Sequence, residues 1–313
     1  MIKFYHSIHG AIHEIPQNEP GCWINVCAPD EAELDWLITN LEIPHEFLAA
    51  ALDEEESSHI EAEDNKKLII VDIPFSQKVD DDIRYYTIPI GIILTENNII
   101  TVSIKENTVI KDFTDGKIKN INTAYKTKFV FQILLHATAR YLNHLKLIDK
   151  RTTELEMNLR RSMRNKELTG MLDYEKSLVY FQTSLKSNEL TLQKITKNNF
   201  IKMYEEDQEL LEDVMIEIKQ ALEMCNIHLS ILSGTMDAFA SIISNNLNIV
   251  MKILTSLTIV MAIPTMVFSF YGMNIGEFAG ALPGAQTVVV PLVVAFAIAI
   301  IATIVLIAKG MFK

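Results

Sequence analysis

An N-terminal α/β domain, a long α-helical stalk and two C-terminal transmembrane helices are the architecture that this 313-residue sequence predicts. Three observations lead there. Charge is segregated: only three of the 28 basic residues (Lys252, Lys309, Lys313) and one of the 40 acidic ones (Glu277) lie beyond residue 250. That leaves 25 and 39 before it, a net of −14. Hydrophobic spacing changes near Lys126 from strand-like runs to helical periodicity, with no proline from there to Pro264. Two runs in the tail reach about 20 apolar residues, enough to cross a bilayer at ~1.5 Å rise per residue. An acidic front joined to a nearly uncharged tail excludes intrinsic disorder, a small disulfide scaffold and a simple soluble domain. It also argues against nucleic-acid binding, which needs a basic surface.

Residues 1–125 carry the α/β part. The start, MIKFYHSIHG, has no apolar core of the kind a cleaved signal peptide needs. His6, His9 and His13 fall on a strand edge with no cysteine partner, which reads as surface or structural histidine rather than a metal site. Runs rich in Ile, Val and Tyr predict strands over Cys22–Cys27, Leu68–Pro74, Tyr85–Leu94 and Ile99–Ile104. Glu96-Asn97-Asn98 makes the last two a hairpin. Asp30 is placed to cap a helix running to Asn40, and Pro44 opens another that runs to about Leu52. Cys22, Cys27 and Cys225 are odd in number and lack zinc-like spacing, which reads as reduced cytosolic thiols.

Residues 126–250 form the stalk. One helix is expected over Phe129–Met163, a break near Gly170, and a second helix over Asp173–Thr196. A third starts near Met203, and no strong breaker separates it from the first apolar run. Unbroken to Phe270, it would be roughly 100 Å long. Such a helix is not stable alone in water and must pack on neighbours or on copies of itself, which points to an oligomer.

Residues 251–313 form a transmembrane hairpin, with spans at about 251–271 and 288–308 and an external loop at 272–287. Pro264 and Pro291 fall inside the spans, where neighbouring helices can re-satisfy the backbone. The cations lie before the first span and after the second, none between them. The positive-inside rule then puts both termini in the cytoplasm of a multi-pass protein of the inner or plasma membrane.

Stepping by sevens through the first span picks out Asn248, Thr255, Ala262 and Ser269; starting three residues later it picks out Met251, Thr258, Thr265 and Gly272. These positions hold every threonine and every small residue from Asn248 to Gly272 except Ser256. Upstream, the same register continues through Asp237. A seam of this kind serves either close helix–helix packing, for which small and hydroxylated residues are favoured in membranes, or a pore, in which supercoiled copies turn it toward a water-filled axis. Pattern alone leaves both open.

Tyr271-Gly272-Met273-Asn274 stands at the outer end of the first span, and here the chain resembles the CorA family of magnesium channels and transporters, defined by a Gly-Met-Asn signature in this place. The resemblance implies a pentameric funnel, a homopentamer in the lipid bilayer passing Mg²⁺ and other divalent cations such as Co²⁺ or Ni²⁺. It implies that Asn274 forms the outer selectivity ring, with Gly272 allowing the turn that positions it. Magnesium gives up its waters reluctantly, so neutral oxygen acceptors suit a hydrated ion. Asn274 is equally suited to capping a helix C-terminus. Glu277, the one charge in the loop, either draws cations to the mouth or is a solvated carboxylate. The basic C-terminal cluster common in the family is reduced to Lys309 and Lys313, and Pro264 and Ser269 differ from its commonest pattern.

In the family, carboxylates between subunits bind regulatory Mg²⁺ and favour the closed state. By motif position Asp213 matches the stalk-side sensor aspartate, and Asp80, Asp81 and Asp82 lie near the expected partner region; Asp237 is a further candidate. Two acidic stretches could bind magnesium, Glu205-Glu206-Asp207 through Glu209, Glu212 and Asp213, and Asp80 to Asp82, while for acidic runs in general, Asp53 to Glu56 included, a solvated surface is the default reading. No Walker-type glycine loop occurs, and nothing suggests an enzyme. A zinc transporter of the same superfamily is the nearest alternative. A two-span membrane sensor is the other, although it would need no polar stripe through the span.

Overall fold

The computed structural model describes residues 1–79, 82–162, 165–273 and 287–312. In chain order it contains β1 (Ile2–Ile8), β2 (Ala11–Ile15), β3 (Trp23–Cys27), α1 (Glu31–Leu41), α2 (His45–Ala51), β4 (His59–Glu63), β5 (Lys66–Val79), β6 (Asp82–Leu94), β7 (Ile99–Ser103) and α3 (Thr108–Thr114). Four longer helices follow: α4 (Lys126–Ser162), α5 (Asn165–Lys197), α6 (Glu205–Tyr271) and α7 (Val289–Ala308). The chain divides into two compact units, Met1–Gly234 and Thr235–Lys313, and α6 contributes to both.

The first unit is built on one seven-stranded sheet in the order β2-β1-β3-β7-β6-β5-β4. Only β3 and β7 run parallel; the other pairs are antiparallel. The central strands are apolar on both faces because both faces are covered. Ile24, Val26, Ile100 and Val102 pack with Leu37 of α1 and Phe47 and Leu48 of α2. Trp23, Ile99, Ile90 and Ile92 pack on the other side with Phe113 of α3, Phe129 and Ile133 of α4, and Leu211 and Val214 of α6. Burying side chains of this size contributes about 1.5–3 kcal/mol each, which is why these strands were legible as Ile/Val runs.

The predicted caps and turns form. Asp30 accepts a hydrogen bond from the Glu33 amide at 2.8 Å while Glu33 accepts one from the Asp30 amide at 3.1 Å, a reciprocal capping box. Pro44 precedes α2. β6 and β7 close as a hairpin with Leu94 opposite Ile99. Three strands lay outside the expected set: β1, β2 and β4. β2 and β4 are five-residue edge strands that carry charged or histidine residues among apolar ones, as suits an edge. Of the three histidines expected on a strand edge, His13 lies on the edge strand β2, whereas His6 lies on β1, flanked by β2 and β3, and His9 lies in the turn. His6 and His13 face each other across β1 and β2, and His9 with Gly10, at φ 50° and 79°, forms the two-residue turn between them.

One expectation is corrected. No helix break occurs at Gly170, which lies inside α5. Glycine costs a helix about 1 kcal/mol relative to alanine, so propensity favours a break. Tertiary packing overrides it, because a Cβ at Gly170 would lie 3.2 Å from Leu155 Cδ1 of α4. The residue lets two antiparallel helices approach.

Two of the buried polar groups in this unit bear on its pH dependence. Asp112 of α3 is held by Lys117 at 2.8 Å, by His136 at 2.8 Å and by Arg140. Burial alone would raise its pKa, but these hydrogen bonds keep it well below the usual carboxylate range. His144 of α4 lies nearly parallel to Phe181, and its Nδ1 has no hydrogen-bond partner among the described residues. Burial, aided by the nearby Arg140 charge, pushes its pKa down from 6.5 to about 4. The folded imidazole therefore stays neutral while the unfolded one takes up a proton below pH 6.5. Its contribution to stability is fully present above that value and is lost as pH falls toward about 4. The expected loss is about 3 kcal/mol. Urea midpoints of wild type and His144→Phe across that window should show a shallower acid decline in the variant. Parallel declines would remove His144 as the cause.

Candidate functional site

Both apolar runs lie in helices. The α6 and α7 windows have mean hydropathy 2.0 and 3.0, and only 6% and 11% of them is buried. A soluble core helix would be largely enclosed, so the apolar side chains here face outward. These helices are long and apolar enough to cross a membrane.

Three faces can be distinguished on the apolar part of α6. The first is an enclosed line: Ser256 is fully buried, and Val260, Ile263 and Val267 are half-buried. On α7 the enclosed positions are Pro291, Ala295 and Ala299. Both lines belong to the second unit, which holds this α6 segment and α7, and small residues of this kind suit close helix approach. The second face carries large exposed apolar side chains, among them Leu254, Leu257, Met261 and Phe268. The third is the seam. Asn248, Met251, Thr255, Thr258, Ala262, Thr265, Ser269 and Gly272 are all exposed.

The seam is thus not the line of α6 that is enclosed within the chain. Ser256, the one small residue outside the heptad pattern, is the one that is fully enclosed. Successive residues turn by about 100°, so the two lines are well separated around the helix. Thr258 and Thr265 donate their hydroxyl protons to the carbonyls of Leu254 and Met261, at 2.8 and 3.3 Å. Their oxygens then present lone pairs outward. A lining of this kind accepts hydrogen bonds from the waters of a hydrated cation and does not offer them protons. Pro264, inside α6, lies on the half-buried side and away from the seam.

α6 ends at Tyr271, whose ring meets that of Phe270 edge-on. Gly272 donates to the Phe268 carbonyl at 2.9 Å and Met273 to that of Phe270 at 3.4 Å. A Cβ at Gly272 would sit 3.2 Å from the Phe268 oxygen. Its backbone is not left-handed, so glycine serves clearance here and not a positive φ. Asn274 and Glu277, the predicted mouth residues, lie outside the described residues.

The acidic candidates divide. Asp213 and Asp237 are exposed on α6. Asp80 and Asp81 lie outside the described residues, as does the side chain of Asp82. Among the described residues no group of three or more His, Cys, Asp and Glu side chains converges within one chain. Part of the Glu205–Asp213 run is structural. Asp207 is 5% exposed and accepts the Tyr204 amide at 2.9 Å, capping the start of α6, while Glu206 pairs with Lys128 at 3.2 Å. In the run from Asp53 to Glu56, Glu54 pairs with Lys105 at 2.7 Å on the surface.

Comparison with known proteins matches residues 18–309 to a family model described as CorA-like Mg²⁺ transporter protein. A cobalt/magnesium transport protein CorA from Methanocaldococcus jannaschii is 28% identical over 261 residues, 80% of this chain and 79% of the relative. The complete structure of the CorA magnesium transporter from that organism superposes with a TM-score of 0.79 at 24% identity, covering 99% of this chain and 96% of that one. The cytoplasmic domain of ZntB from Vibrio parahaemolyticus gives a TM-score of 0.58 at 12% identity, covering 78% and 96%.

Proposed function

Because the chain belongs to the CorA-like Mg²⁺ transporter family, whose members are ion transporters and not enzymes, we propose that it is a homopentameric membrane channel. It passes Mg²⁺, with Co²⁺ and Ni²⁺ as further candidate ions, down the electrochemical gradient. The observation that carries this reading is the exposed seam on α6, turned away from the enclosed line of the same helix. A seam unpartnered within its own chain needs other copies, and hydroxyl oxygens with their protons already engaged suit a hydrated cation. Asn248, Met251, Thr255, Thr258, Ala262, Thr265 and Ser269 line the path. Tyr271, Gly272, Met273, Asn274 and Glu277 form the mouth, and both termini lie in the cytoplasm.

Purified protein in liposomes should take up Mg²⁺ without ATP. A protein that binds Mg²⁺ but carries no flux would be a sensor instead. Competition among Mg²⁺, Co²⁺ and Zn²⁺ in the same vesicles decides between magnesium and the zinc alternative that the fold likeness to ZntB keeps in view.

Intracellular Mg²⁺ closes the channel by bridging acids on neighbouring subunits, with Asp213 one ligand and Asp80, Asp81 or Asp82 the facing side; Asp237 adds a second level on the same helix. Asp213→Ala removes a ligand without supplying a charge. Coupling of about 1–3 kcal/mol is typical, a 5- to 150-fold change in the closed-to-open ratio. Mg²⁺ should protect wild type from limited proteolysis and protect Asp213→Ala less. Identical protection would make Asp213 a surface carboxylate only.

A further inference from the structure

The β3–β7 pair is a switch point in the sheet. The connection after β3 leads to α1 and α2 on the Ile24 and Val26 face, and that after β7 leads to α3 on the Trp23 and Ile99 face. In open α/β sheets, ligands bind in the crevice beyond the carboxyl ends of strands at such a point. A cavity of about 280 Å³ lies there, roofed by Ile110 and Lys111 of α3.

Its floor departs from the rest of the sheet. Register places Lys3 opposite Asn25, Asn25 opposite Thr101, and Cys27 opposite Ser103, so these five share a face. All carry polar atoms, whereas the alternating positions Ile2, Phe4, Ile24, Val26, Ile100 and Val102 are apolar. The hydroxyls of Tyr5 and Ser103, residues 5% and 2% exposed, have no hydrogen-bond partner among the described residues, and both residues line the cavity. Neither oxygen is sealed off from the cavity, so both hydroxyls are open to an occupant.

The chemistry of the occupant follows from the donors. Trp23 Nε1 can only donate, and it donates to Thr101 Oγ1 at 2.9 Å. Thr101 must then give its own proton to Asn25 Oδ1, at 3.0 Å. The Asn25 carbonyl oxygen is thereby engaged and its NH₂ is left without a partner among the described residues. Burial pushes the Tyr5 phenol up, so it remains an O–H donor. Lys3 and Lys111 add ammonium groups at the rim, held by Glu14 at 3.1 Å and Glu106 at 3.2 Å. Exposed pairs of this kind are worth little, so either lysine can turn to a new partner. Glu106 is the one carboxylate in the lining. A donor-rich, acceptor-poor cavity excludes a bare cation and fits an anion with several acceptor oxygens. At this volume it admits a phosphate with a small organic residue and not a dinucleotide.

We propose that this crevice binds a phosphate dianion, either inorganic or the phosphoryl end of a small ester, through Tyr5, Asn25, Ser103, Lys3 and Lys111. Calorimetric titration of the full-length protein in detergent with inorganic phosphate and, separately, with glycerol 3-phosphate distinguishes the two sources. Acetate at matched ionic strength tests a carboxylate occupant. Saturable binding of one phosphate compound per chain is expected. Lys111→Gln and Tyr5→Phe should each weaken it about tenfold or more, and Ser103→Ala should weaken it in the same direction. Tyr5→Phe keeps the ring that packs 5.1 Å from Trp23, and unliganded melting curves verify that each variant folds. Lys146→Gln, at an exposed position on α4, should bind as wild type does. Absence of saturable binding by both phosphate compounds up to roughly 10 mM overturns the proposal. So does a preference for acetate, or unchanged affinity in both Lys111→Gln and Tyr5→Phe. Binding is read without flux, so a failure here leaves the transport reading untouched, and a failure of transport leaves this one.

Discussion

Cysteines at Thr255, Ala262 or Thr265 are expected to react with a water-soluble thiol reagent at least tenfold faster than cysteines at Ser256, Ile263 or Val267, and their modification should block Mg²⁺ flux. The contrast comes from one helix, so local reactivity and depth in the bilayer are matched between the sets. Seam positions are exposed, whereas Ser256 is fully enclosed and Ile263 and Val267 are half-buried. A thiol reacts as its thiolate, which forms only where water reaches it. Leu257 adds a second control, because it is 51% exposed in the single chain yet belongs to the large apolar face. A cysteine there meets lipid or a neighbouring helix and should stay unreactive. Of the three native cysteines, Cys22 and Cys225 are buried and Cys27 is half-exposed, so Cys27 is the one whose removal matters most for background. Equal labelling of both sets would reduce the seam to a contact between copies.

Asn274→Ala should lower Mg²⁺ uptake at least tenfold without loss of assembly. A side-chain amide oxygen accepting from a metal-bound water is a hydrogen bond polarised by the ion, worth about 1.5–3 kcal/mol. Losing one such bond already corresponds to about a tenfold change in site occupancy, and a symmetric ring loses one per subunit. Replacing Asn with Ala leaves waters at the mouth with no neutral acceptor to hold the ion in register. Asn274→Asp tests the sign. It retains the oxygens and adds charge, so it should bind cations more tightly and pass them more slowly. Wild-type flux in Asn274→Ala, measured on protein that still assembles, would sink the selectivity assignment.

Much of the architecture was legible in the chain itself because it rests on local chemistry. Asp30 with Glu33 marks a helix start, Glu96 to Asn98 a hairpin, and the Ile/Val runs of β5, β6 and β7 mark strands covered on both faces. The two apolar runs are long enough to be recognised by length alone. The period of 3.5 through α6 separated the seam from its surroundings before any partner helix was known. β1, β2 and β4 were missed because a half-exposed strand mixes polar and apolar residues with no strong signal.

What tertiary structure alone decided concerns neighbours. Propensity reads Gly170 as a break; only the presence of Leu155 on α4 makes it a point of close approach. Asp207 sits in an acidic run that looks solvated, and only the fold of the 201–207 turn makes it a buried cap. The polar corner beneath α3 gathers residues 3, 25 and 103, brought together by the antiparallel β1–β3 and the parallel β3–β7 pairings, the second of which local pattern does not encode. The same holds for the seam. Composition could say that α6 carries a polar stripe, but which side of α6 its own hairpin partner covers depends on where α7 packs. The enclosure of Ser256, Ala295 and Ala299 is a property of tertiary contact and not of either segment alone.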